Sequence, residues 1–195
     1  MIRFLDFSFS FLGLIFLSPF ILLIGIFIKI SSNGPIFYRQ LRIGLNGSEF
    51  KVFKFRTMKR DADKLGLITV GGRDSRVTPI GYYLRKYKLD ELPQLINVLI
   101  GNMSLVGPRP EVKKYVDLYT EAEKRVLTIR PGITDWASIK YRDENVILGE
   151  SLNPEKDYIE KVMPDKLKYN MIYINKYGVL EYLKIIFFTL LRIAF

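Results

Sequence analysis

From Phe7 to Ile28 the chain carries no charged residue, a run of 22 positions bounded by Asp6 and Lys29. At 1.5 Å per residue, a helix of that length reaches about 33 Å, enough to cross the hydrocarbon core of a bilayer. The run is too long for the apolar stretch of a cleaved signal peptide, and no small-residue cleavage pattern follows Lys29. Ser18-Pro19 falls in its middle. Proline removes one backbone hydrogen bond and crowds the preceding turn, so a kink is expected there, with the Ser18 hydroxyl bonding back to a carbonyl such as that of Leu14. A kinked helix still spans the membrane, whereas a sharper bend makes a re-entrant hairpin whose ends share one face. Length alone cannot choose between them, and the residues of this run taken by themselves favour the plain span.

A basic stretch follows. Arg39, Arg42, Lys51, Lys54, Arg56, Lys59 and Arg60 stand against the single acid Glu49, which marks the cytoplasmic side by the positive-inside rule. The whole chain of 195 residues has a net charge of +10 with 49% hydrophobic residues. Such a basic, oily chain suits an anionic membrane surface or phosphate-bearing substrates. Cysteine is absent, which excludes disulfides, thiolate catalysis and cysteine-bound zinc. Histidine is absent too, which excludes a Ser-His-Asp triad and the usual transition-metal ligands. Chemistry is left to carboxylates, Lys, Tyr, Ser/Thr or a hard oxygen-bound cation such as Mg²⁺.

The remaining pattern predicts a mostly helical α+β domain over residues 31–195, appended to the membrane segment 1–30. Pro35 to Tyr38 and Phe50 to Phe55 read as short strands, with Gly44-Leu45-Asn46-Gly47 as the turn between them. Lys51 and Lys54 are equally readable as a solvated strand face or as phosphate ligands; Arg56 is favoured as a ligand. Residues 61–75 read as a mobile loop ending in Gly71-Gly72-Arg73-Asp74. Thr78-Pro79 should cap a helix through Tyr87. Thr120 to Glu123 forms a capping box, Ile133 to Tyr141 reads as extended, and Asn153-Pro154 starts a helix that Pro164 interrupts. Its continuation stops at Gly178, and Val179 to Phe195 is apolar enough to lie in the membrane interface.

Two stretches carry the chemistry. Asp90 and Glu91 are adjacent carboxylates within a basic region, just before Leu92, Leu95, Ile96 and Leu99 at helical spacing. Pro93 suits a first helical turn, so the pair falls at a helix N-terminus, where Asp90 could simply be an N-cap. Downstream, Gly107-Pro108-Arg109-Pro110 holds Arg109 between two prolines, a rigid setting for a guanidinium that grips phosphate through two bonds.

Taken in order, Ser18-Pro19, Lys54-Phe55-Arg56-Thr57-Met58, Asp74-Ser75-Arg76-Val77-Thr78, Leu84-Arg85 through Leu89-Asp90-Glu91-Leu92-Pro93-Gln94, Met103 through Pro110, and Arg130-Pro131-Gly132-Ile133-Thr134 resemble the small monotopic phosphoglycosyl transferases. These are bacterial sugar transferases that begin lipid-linked glycan assembly. The resemblance implies transfer of a sugar-1-phosphate from a UDP-sugar to polyprenyl (undecaprenyl) phosphate with release of UMP. It implies Asp90 as the nucleophile that forms a phosphosugar–enzyme intermediate, and Glu91 as the Mg²⁺ ligand. It further implies Arg56, Arg85 and Arg109, framed by Pro108 and Pro110, as phosphate binders, and a re-entrant helix broken at Ser18-Pro19. The expected place is the cytoplasmic face of the bacterial inner membrane. The implied partners are the UDP-sugar, the lipid acceptor and membrane lipid, with no nucleic acid; the sugar, the glycan pathway and the oligomeric state stay open.

After Thr134 many relatives continue with a glycine, Trp-Ala-Gln and a polar stretch, whereas this chain reads Asp135 through Asn145 differently, which leaves the sugar undetermined. The extra transmembrane helices of larger relatives are missing, so the catalytic core alone is expected. A membrane-tethered basic module binding anionic lipid or nucleic acid would explain the charge but give the Asp-Glu pair and Pro-Arg-Pro no purpose. A polytopic transferase would need many more spans than one chain of this size offers.

Overall fold

The computed structural model describes residues 1–62, 66 and 74–194. The apolar run and its flanks form one helix, α1 (Ile2–Ser31). The helix runs through Pro19 as one element. The carbonyl that proline leaves without a donor is that of Ile15, four residues back. Ser18 Oγ donates to it at 2.8 Å, rather than to Leu14 as the sequence predicted.

Both ends of α1 pack on the same protein body. Near its start, Ile2 and Leu5 join an apolar cluster around Val106, Tyr173, Tyr182 and Ile185. Near its end, Ile28 is fully buried with Phe55 and Leu84. Between them Gly13 comes close to Leu95 and Gly25 to Ile36. The opposite face exposes Phe4, Leu12, Phe16, Phe20, Leu23, Phe27 and Ile30. Two polar pins fix the first turns. Arg3 donates to the carbonyls of Val98 (2.6 Å) and Leu99 (2.9 Å). Asp6, 1% exposed, accepts at Oδ1 from Ser104 Oγ, the Leu105 amide and Tyr182 Oη, each at 2.9 Å.

Strands β1 (Phe37–Ile43) and β2 (Glu49–Phe55) form an antiparallel hairpin pairing Phe37 with Phe55 and Ile43 with Glu49. β1 runs five residues past the predicted end at Tyr38. Its charged second half stays extended because Arg39 lies over the Phe53 ring at 4.6 Å and Arg42 bonds Gln40 and Glu111. Helix α2 (Pro79–Lys86) starts as predicted, with Thr78 accepting from the Gly81 amide. Gly71-Gly72-Arg73 of the predicted loop lies outside the described residues.

Helix α3 (Gln94–Ile100) is bound to β2 by one buried side chain. Asn97 Oδ1 accepts from the Phe53 amide and its Nδ2 donates to the Lys51 carbonyl, both at 2.8 Å, so the amide stands in for a neighbouring strand. Gly101 ends α3 in the left-handed conformation, φ 95°. Strand β3 (Ser104–Val106) pairs in parallel with β4 (Gly132–Thr134), and α4 (Lys113–Val116) lies between them in sequence. The capping box forms, with the Thr120 amide donating to Glu123 at 2.8 Å, but it opens a 3₁₀ stretch, Glu123–Thr128.

The extended reading of Ile133 to Tyr141 ends at Thr134. Asp135 accepts from the Ser138 amide at 2.5 Å and starts a short helix, α5 (Trp136–Lys140). Helices α6 (Glu144–Gly149) and α7 (Pro154–Asp157) follow, the second capped by Asn153 as predicted. Pro164 does not interrupt the next helix. A π-helical turn, Tyr158–Val162, widens the helical run ahead of it, and α8 (Met163–Asn175) carries Pro164 at its second residue. Helix α9 (Val179–Ala194) buries Tyr182 and Ile185 and exposes Leu180, Leu183, Phe187, Leu190 and Ile193.

Candidate active site

Lys88 takes a left-handed conformation (φ 56°) that turns the chain out of α2 into a single 3₁₀ turn, Leu89–Glu91. Asp90 and Glu91 therefore precede α3 by that turn. The helix starts at Gln94 with Pro93 at its cap position, so the predicted N-cap role of Asp90 is not realised. The Asn97 bonds to β2 bring Lys54 against this turn.

The two carboxylates differ sharply. Glu91 is bound by two cations: Lys54 Nζ donates to Oε1 at 2.9 Å, Arg109 Nη1 donates to Oε2 at 3.1 Å, and Arg109 Nη2 donates to Oε1. Asp90, 8% exposed, accepts no hydrogen bond among the described residues. Burial and the neighbouring Glu91 charge raise the Asp90 carboxyl above the usual aspartate range, against the fields of Lys54, Arg85 and Lys88. Burial would raise Glu91 as well, but Arg109 and Lys54 outweigh it and hold that carboxyl well below the usual range. Burial lowers Lys54, which Glu91 partly offsets, and Glu91 raises Arg109.

Arg109 is aimed by a loop fixed on both sides. On one, Gly107 donates to the Thr134 carbonyl at 3.0 Å and Gly132 donates to the Pro108 carbonyl at 2.9 Å. On the other, Arg42 Nη1 donates to the Pro110 carbonyl at 3.0 Å and the Ile43 amide donates to the Glu111 carbonyl at 2.9 Å. The Glu111 carboxylate is held in turn by Arg42 at 3.3 Å, by Tyr158 Oη and by Lys166 at 3.8 Å. The predicted two-bond grip of Arg109 thus exists, on a carboxylate.

Arg85 contributes its charge to the field at Asp90. Arg56, predicted as a phosphate ligand, is directed elsewhere: it donates to the carbonyls of Asn33 (2.6 Å), Ser32 (2.8 Å) and Ile28 (3.4 Å), tying down the end of α1. A last-turn cap by a basic side chain accounts for its place. Lys51 is exposed, so of the two undecided lysines only Lys54 belongs to the site. Ser18 and Pro19 lie mid-helix in α1 on its exposed side.

The family model described as bacterial sugar transferase matches residues 1–195. The chain belongs to that family. Over 182 residues it is 36% identical to the UDP-glucose:undecaprenyl-phosphate glucose-1-phosphate transferase of Escherichia coli (strain K12), across 92% of this chain and 37% of that protein. It is 37% identical over 190 residues to the protein of the same name from Klebsiella pneumoniae, across 96% of this chain and 38% of the other. With the exopolysaccharide production protein ExoY of Sinorhizobium fredii it shares 41% identity over 157 residues, 73% of this chain and 70% of that one. The chain spans under two fifths of the first two relatives.

The side chains of the stretch 135–145 bond other elements than the Asp90–Glu91 turn. Trp136 Nε1 donates to Glu181 at 2.8 Å, and Lys140 Nζ (2.8 Å) and Tyr141 Oη (2.7 Å) donate to Asp165. Glu144 pairs with Lys166 at 2.9 Å and adds to the field on Arg109. Sequence reasoning missed the Glu111, Tyr158 and Lys166 cluster. Its one readable signal was Pro164, which marks the widened turn that carries Tyr158.

No group of three or more potential protein ligands for a metal occurs among the described residues. Mg²⁺ commonly takes one or two carboxylates and completes its shell with water and substrate phosphates, and an adjacent Asp-Glu pair of hard oxygens fits that mode.

Proposed function

We propose that this protein transfers a sugar-1-phosphate from a UDP-sugar to polyprenyl phosphate, the undecaprenyl lipid in bacteria, and releases UMP. The observation that carries the reading is the contrast between the two carboxylates: Asp90 accepts no hydrogen bond among the described residues and stands amid cations, while Glu91 is held by Lys54 and Arg109. The names of the two undecaprenyl-phosphate relatives support the reaction class.

In the first step, an Asp90 oxygen attacks the sugar-bearing phosphorus. The bond from that phosphorus to the bridging oxygen breaks, and UMP leaves with the electron pair. In the second, an oxygen of the lipid phosphate attacks the same phosphorus, and the bond to Asp90 breaks to restore the carboxylate. A carboxylate attacks an anion only when cations neutralise the phosphate and hold it in line. Lys54, Arg85, Lys88 and Arg109 surround the pair for that purpose. Glu91, together with donor phosphates, would hold Mg²⁺, which supplies further charge neutralisation when bound.

The packing of both ends of α1 on one body supports a monotopic arrangement, with the exposed faces of α1 and α9 in lipid and the body on the cytoplasmic side. Release of UMP from a panel of UDP-sugars with undecaprenyl phosphate tests the function. A turnover that needs both the sugar nucleotide and the lipid supports it, and absence of turnover with every donor rejects it.

A further inference from the structure

Three charged hydrogen bonds converge on Glu91, two from Arg109 and one from Lys54, while the adjacent Asp90 accepts none among the described residues. The arrangement is built in: the Asn97 amide holds β2, and with it Lys54, while the bonds at Gly107, Pro108, Pro110 and Glu111 hold Arg109. A carboxylate so occupied is a weak ligand for a free divalent ion, which would have to enter beside two cations already in contact with it. A nucleoside diphosphate changes the competition, because its phosphate oxygens offer a guanidinium and an ammonium stronger, multiply charged acceptors.

We propose that Lys54 is a positioning residue that, with Arg109, keeps Glu91 closed to a divalent cation until a nucleoside diphosphate draws the two basic side chains onto its phosphates. Cation and nucleotide then load together, and neither is held strongly alone. The inference rests on the reading of Glu91 as the metal ligand. Lys54 and Arg109 carry two duties in sequence: they guard the carboxylate in the resting site and grip phosphate in the loaded one.

Binding of Mn²⁺ alone to the full chain in zwitterionic lipid nanodiscs, read from the electron paramagnetic resonance of the free ion, tests this without turnover. Lys54→Met removes one guard, and the affinity for Mn²⁺ should rise about tenfold or more, the scale of one charged hydrogen bond. Arg109→Gln should raise it independently, which keeps the test valid if either variant folds poorly. Lys88→Met serves as the control. Lys88 adds to the field at both carboxylates but donates to neither among the described residues. Its removal should raise the affinity clearly less. UDP, corrected for the ion it binds in free solution, should increase Mn²⁺ uptake more in the wild type than in Lys54→Met. Unchanged or lower affinity in both guard variants, or an equal gain in Lys88→Met, overturns the proposal. Adding Glu91→Gln to Lys54→Met should cancel the gain. A gain that survives it shows that the ion binds elsewhere, and the reading of Glu91 as ligand fails instead.

Discussion

Gly107 and Gly132 meet backbone to backbone: a Cβ built on Gly132 would lie 2.1 Å from the Gly107 nitrogen, and one on Gly107 would lie 2.4 Å from the Arg130 carbonyl oxygen. Neither neighbour can yield easily, since both are main chain flanking the β3–β4 pair that leads into the Arg109 loop. Gly132→Ala should therefore cost on the order of 3 kcal/mol or more of stability and displace the loop. Thermal unfolding measures it, and a variant melting with the wild type would contradict the close approach.

Arg109→Lys keeps the charge but loses the planar fork that spans both Glu91 oxygens. A loss of about 2–4 kcal/mol in transition-state stabilisation is expected, equivalent to about 30- to 1000-fold in rate. Steady-state UMP release gives the number; near-normal turnover would reduce Arg109 to a structural charge.

Asp90→Asn should abolish both UMP release and any covalent adduct, because an amide cannot form the mixed anhydride. Intact-protein mass spectrometry of the wild type mixed with its UDP-sugar, without lipid, should show a phosphosugar adduct. Glu91→Gln should chiefly weaken Mg²⁺ binding, with partial recovery of activity at raised metal. Wild-type UMP release by Asp90→Asn would point to direct attack by the lipid phosphate.

Among the described residues, Asp6 receives its three side-chain hydrogen bonds on Oδ1. Asp6→Asn retains an acceptor oxygen there and should melt close to the wild type. Asp6→Leu leaves three buried donors without a partner, at about 1–3 kcal/mol for each. Equal melting temperatures for the two variants would show that the pin carries no stability.

The absence of cysteine makes topology directly measurable. A cysteine in a short tag ahead of Met1 and one at the exposed Ser48 should both resist an impermeant thiol reagent outside intact cells and react after permeabilisation. Labelling of the tag alone in intact cells would mean that α1 crosses the membrane.

The sequence was readable where a residue acts through its own backbone. Thr78-Pro79, Asn153-Pro154 and the Thr120 capping box each mark a boundary that the structure keeps, because caps are decided within four residues. Of the candidate site, the adjacent Asp90 and Glu91 and the proline-framed Arg109 were legible in the sequence, and the structure brings them together. What escaped depends on distant partners. Arg56 is adjacent to the strand that carries Lys54, yet α1 returns beside it and takes its guanidinium. Asp6 reads as the polar edge of an apolar run until β3 and α9 close around it. The second half of β1 reads as too charged for a strand until Phe53 and Glu111 give Arg39 and Arg42 their partners.

The two-ended attachment of α1 bears on how such an enzyme can be handled. Cutting the chain between Ser31 and Phe37 should not release a water-soluble catalyst, because the severed helix remains seated through Arg3, Asp6 and Ile28. Deleting the helix outright would strip one wall from each of two apolar clusters and remove the Ile28 carbonyl, one of the three that receive Arg56. The hydrophobic segment is therefore less a tether than a structural beam. Detergents suited to this protein are those that coat its outer face without prying into the seam beneath.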